Sequence, residues 1–190
     1  MMKYVRRFLE FCLPVLWLIV VGTIVHEAGH IIASFLLDVP IFSIKIAPGL
    51  QIYPHFKITE LTGTGFQVHM FYDTQHKHGL VGISGCLATA GVSLLFSTLC
   101  VLFGKIRQNR LCRWTSFFYL DITFYTFFTL FGLRHWLIFG SSVKEPWIAA
   151  INLHIHPFNL AIFVMSIFIS NSSLILFMYK HKKMDLSLIY

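Results

Sequence analysis

Long apolar runs, interrupted at a few points by charge, set the pattern of this chain. Leu13 to Val25 is apolar apart from Gly22 and Thr23, and Ile31 to Leu37 apart from Ser34. Together they predict one membrane-type helix over about 8–37, long enough to span with tilt. Pro14 falls in its first turns, where proline is tolerated or makes a mild kink, and Asp38-Val39-Pro40 ends it. The period then changes. Ile41 to Ile46 alternates apolar and polar positions, and Gln51-Ile52-Tyr53, Phe56-Lys57-Ile58 and Gly65 to Met70 are short, with Pro and Gly between them. This is the pattern of short strands and turns, so 40–78 reads as a β-rich segment. A second helix is expected over about 79–103. Its first half, Gly82 to Gly91, is dense in small residues, which allow close helix packing in lipid. A third follows over about 114–133, with Asp121 as its only charge, and a fourth over about 158–179. Between these two, Leu137 to Pro157 is less regular and suits a re-entrant or interfacial segment.

Composition turns this pattern into a class. Of 190 residues, 56% are hydrophobic and 12% charged, whereas a soluble domain is about a quarter charged. The expectation is a single α-helical integral membrane domain over 1–190, with about four transmembrane helices and a β-rich segment after the first. The net charge of +7 does not point to nucleic acid, because the basic residues cluster at the ends of apolar runs. They lie at the N-terminus, in a 104–113 loop and in the tail from Lys180. Four spans put all three clusters on one side, which the positive-inside rule makes the cytoplasm. The apolar run after Lys3, Arg6 and Arg7 is too long for a signal peptide and reads as a retained helix. Cys12, Cys86, Cys100 and Cys112 form no CxxC and read as small buried hydrophobes.

The candidate chemistry sits inside the first helix. His26-Glu27-Ala28-Gly29-His30 is an HExxH motif. Histidines four apart share a helix face and can bind one zinc ion, and Glu27 lies beside the water that the metal would activate. A carboxylate there can take the water's proton and pass it to a leaving amine. Ionisable groups inside an apolar helix are expensive and point to a role. His76 and His78 read instead as part of a solvated loop before the second helix, with His69 nearby.

At these residues the chain resembles the site-2 protease family of intramembrane zinc metalloproteases, which carries HExxH in a membrane helix. The resemblance implies hydrolysis of peptide bonds in membrane-embedded protein or peptide substrates. It also implies that the strands after the HExxH helix receive an unwound substrate by strand addition; an ordinary extramembrane loop is the alternative for 40–78. The family's Gly-Pro and Asn are not present in the small-residue helix, so no role of that Asn carries over.

Two histidines leave zinc one protein ligand short. The family supplies an aspartate, and Leu120-Asp121 resembles the Leu-Asp part of that motif without its Asn-Pro or following Gly. Helix depth argues against Asp121. It lies roughly 12 Å from the inner interface counted from Arg113, against roughly 27 Å for the HExxH turn counted to the same interface. Glu145 is the competing ligand, in an outward-facing stretch where Gly140 and Pro146 permit an irregular backbone. His135, His154 and His156 are further candidates, and the unused carboxylate can orient a ligand histidine. A membrane metal-binding or transport protein, or an inactive protease relative, is the alternative function. Glu27, which neither needs, favours hydrolysis.

Overall fold

The computed structural model describes residues 2–46, 49–58, 66–127 and 145–187. Helix α1 runs over Met2–Leu36 and takes Pro14 within it. Asp38 closes it in the left-handed conformation, at φ 51°, and the Val39 N–H returns to the Ser34 carbonyl at 2.8 Å. This is the usual way of satisfying the last carbonyls of a helix.

Of the segment 40–78 expected to be β-rich, the part up to Met70 holds a small antiparallel sheet, and Gln75 onward is helical. Strands β1 (Ile41–Ile46), β2 (Leu50–Tyr53), β3 (Lys57–Ile58) and β4 (Phe66–Met70) form an antiparallel sheet in the order β3-β2-β1-β4. Among the described residues β4 pairs on one side only, with β1. The Met70 Sδ at its end accepts a hydrogen bond from Ser34 Oγ at 2.9 Å, which ties this edge strand to α1 one turn beyond His30.

Helix α2, Gln75–Leu102, begins earlier than its apolar run predicts. Thr74 is the reason: its hydroxyl accepts from the Lys77 N–H and caps the helix. His76 and His78 are therefore on its first turns and not in a loop. The expected basic loop is two short helices, α3 (Gly104–Gln108) and α4 (Arg110–Thr115), and α5 is Leu120–Phe127. The single helix expected over 114–133 is thus divided. Between α4 and α5 the N–H groups of Phe117, Phe118, Leu120 and Asp121 each reach back three residues instead of four, a tighter turn than an α-helix. Residues 128–133 and most of the stretch from 134 lie outside the described residues. Helix α6, Glu145–Asn152, starts on Glu145-Pro146, where the missing proline N–H costs nothing. Helix α7, Pro157–Ser187, is longer than expected.

Three described helices are long and apolar enough to cross a membrane: Cys12–Leu36, Gln75–Leu102 and Pro157–Lys180. Their outward faces are apolar too, with Ile24, Phe35, Leu95, Ile162, Ile169 and Leu176 all exposed. The inward faces carry hydroxyls and an amide that bond between helices, as Ser93 does with Asn171 and Tyr119 with Ser172.

The contacts fix the direction of each helix. At one end His30 of α1 meets Val81 of α2, and Gly79 meets α6. At the other, Trp17 of α1 donates to Thr115 of α4, and Cys100 of α2 packs with Met178 of α7. Helix α1 therefore runs towards the first end and α2 runs back; α4 lies near the second end and α6 near the first, and α7 runs back to the second. The early part of α1 and the late part of α7 lie at the same end.

Candidate metal centre

The close contact of α1 with α2 builds the site. A Cβ on Gly29 would lie 2.6 Å from the Ser84 carbonyl oxygen and 2.7 Å from the Ala88 Cβ. A Cβ on Gly85 would lie 2.6 Å from His30 Nε2 and 2.7 Å from His26 Nε2. Only glycine leaves those two nitrogens open at this depth. Both imidazoles are buried, with 5% of His26 and 8% of His30 accessible, and their rings meet edge to face with centroids 4.8 Å apart.

Each ring is fixed through its other nitrogen. His30 Nδ1 lies 2.7 Å from the Val81 carbonyl, which can only accept, so that nitrogen carries the proton. His26 Nδ1 lies 2.7 Å from Asp121 Oδ2, which also accepts from Thr89 Oγ1 at 2.8 Å. With Nδ1 the donor in both rings, each ring in its neutral form presents an Nε2 lone pair. Both nitrogens face the same atom: Glu145 Oε2 is 3.0 Å from His26 Nε2 and 3.6 Å from His30 Nε2. With both rings neutral, two imidazole lone pairs and a carboxylate oxygen at such distances repel one another unless a proton or a metal ion lies among them. Tetrahedral zinc with bonds near 2.0–2.1 Å sets its ligand atoms about 3.3 Å apart, between the two observed distances. Donors at this spacing could hold a metal ion.

Glu145 reaches this point because α6 begins there and packs its Ala149 against the first turns of α2. Asp121 sits at the opposite edge of the His26 ring from Glu145. The depth argument against its approach fails, because it measured α1 and α4 from a common interface. Thr115 is level with Trp17, ten residues or about 15 Å along α1 from Arg7. Arg113 meanwhile turns its guanidinium to the Arg107 carbonyl. Glu27, one position past His26, is half-buried. His154 and His156 are exposed between α6 and α7 and are not brought to the site, while His135 lies outside the described residues.

Several neighbours had no signal in the sequence. Tyr125 stacks on His26 with ring centroids 5.6 Å apart, and Thr89 and the Val81 carbonyl serve only through the fold. Tyr72, between β4 and α2, stacks on His78 at 4.3 Å. Burial first, and then the carboxylates of Glu145 and Glu27, push its phenol up. Beside α1, one turn past His30, an apolar groove of about 600 Å³ runs under the sheet, lined by Ile31, Ser34, Phe35, Val39, Ile41 and Tyr53. Comparison with family models, curated proteins and solved structures finds no match to this chain.

Proposed function

We propose that this chain is an intramembrane zinc metalloprotease of the site-2 protease type, which hydrolyses peptide bonds in membrane-embedded protein or peptide substrates. The observation that carries the reading is the convergence of both Nε2 lone pairs on Glu145 Oε2, on a helix that also places Glu27 beside them. In this reading His26, His30 and Glu145 hold the metal. Zinc there supplies a Lewis acid that polarises a carbonyl and makes water a better nucleophile at neutral pH. Glu27 takes the proton from that water and delivers it to the leaving amine. Asp121 keeps His26 in the Nδ1–H tautomer and fixes its plane, as a carboxylate behind a ligand histidine does. Thr89 holds Asp121 in turn.

The three long helices with apolar outer faces support a multi-pass membrane protein with the bilayer as its surroundings. The basic residues Lys105, Arg107 and Lys180, at the end shared by both termini, support a cytoplasmic location for that end. Strand β4, with one edge unpaired among the described residues, suits an extended substrate, and the groove beside Ser34 suits an apolar side chain of that substrate.

The test is zinc analysis of the purified chain with a cleavage assay on membrane-segment substrates. Wild type should carry close to one zinc per chain, and His26→Ala should lose it. Glu27→Gln should keep metal and fold but lose cleavage by several orders of magnitude, since the ligands remain and the base is gone. Wild-type turnover in that variant would move the protein to the metal-binding or transport class.

A further inference from the structure

One donor beside the metal position has no part in the mechanism above. Cys86 is fully buried on α2, is free of any disulfide, and follows Gly85, the residue that faces both Nε2 atoms. Its Sγ, a ring nitrogen of His26 and a carboxylate oxygen of Glu145 all lie within 4.8 Å of one another. Three donor atoms from α1, α2 and α6 thus converge, and two of them belong to the ligands already assigned.

We propose that Cys86 is a fourth protein donor to the same metal, so that without substrate the ion is held by His26, His30, Glu145 and Cys86. The inference rests on the metal reading above. Zinc with four protein donors is closed, whereas a hydrolytic site needs one position open. Binding of Cys86 therefore makes a resting state, and its release, with a proton returning to the sulfur, opens the position that water needs. On binding, the thiol gives its proton to solvent and sulfur becomes the thiolate ligand. A bond of about 2.3 Å to sulfur, longer than to nitrogen, helps a short side chain on a neighbouring helix to reach the ion. The same soft donor favours cadmium over hard ions of equal charge.

X-ray absorption at the zinc edge on the full-length, zinc-loaded protein tests this. Wild type should show one sulfur near 2.3 Å with nitrogen and oxygen near 2.0 Å. Cys86→Ala and Cys86→Ser should both lose the sulfur shell and keep the lighter one, the serine variant preserving size and polarity should the alanine variant fail to fold. A wild-type shell of nitrogen and oxygen alone would overturn the inference while leaving the metal reading intact. So would a sulfur shell that persists in both variants, since Cys12, Cys100 or Cys112 would then be its source. Purified protein that takes up no zinc would remove both.

Discussion

At the scale of single residues, the two carboxylates around His26 carry different duties, and substitution separates them. Glu145 faces the Nε2 side and Asp121 the Nδ1 side of the ring. Glu145→Gln removes a charged ligand and should lower zinc affinity about as far as loss of a histidine, because a neutral amide is a poor ligand and leaves the ion's charge uncompensated. Asp121→Asn should cost less, about ten- to a hundredfold in affinity or activity. Competition titration with a chelator of known affinity orders the two variants, and the reverse order would assign the ligand role to Asp121. The histidine pair and Glu27 were legible in the sequence because spacing alone puts them on adjoining helix positions. The choice between Asp121 and Glu145 was not. Asp121 and Glu145 stand 95 and 119 positions from His26 along the chain, and only the packing of α5 and α6 brings one to Nδ1 and the other to Nε2. Cys86 was hidden for a similar reason: in composition it looks like any buried thiol, and only the proximity of Gly85 to the rings brings it to the site.

At the scale of elements, the contact between α1 and α2 decides whether a site exists. Gly29→Leu has no room against the Ser84 carbonyl and the Ala88 methyl, both of them rigid, so the helices must part. Overpacking of this kind costs about 1–3 kcal/mol, and the separation also draws Gly85 and Cys86 away from the rings. The variant should bind zinc far more weakly and unfold at lower temperature in detergent. Gly91→Leu on the same α2 is the control, because a Cβ there meets nothing within 4 Å; equal damage in both variants would refute the packing argument. Strand boundaries in 40–78 were readable from alternation and punctuation, since a pleated segment with one covered face must alternate. The division of the third helix was not readable. Residues 114–133 contain no proline and glycine only at Gly132, so nothing local announces a break. The tight turns at Ser116–Tyr119 are held by distant partners, Ser93 on the Ser116 carbonyl and Ser172 on Tyr119.

At the scale of the molecule, the helix directions place the early part of α1 and the late part of α7 at one end, away from His26, His30 and Glu145. Reporter fusions at each terminus should therefore give the same, cytoplasmic, signal; opposite signals would mean that the short helices do not carry the chain back across. Those short helices have a bearing on how the protein is made. Helices α4, α5 and α6 hold six, eight and eight residues, or about 9–12 Å each, against a hydrocarbon layer of about 30 Å. Among the described residues none of the three has the length of a span. In a chain made from its N-terminus, the two histidines of α1 precede Asp121 on α5 and Glu145 on α6. If the proposed reading holds, a nascent chain thus carries its histidine pair without either carboxylate, and all four side chains can meet only after α6 has been made.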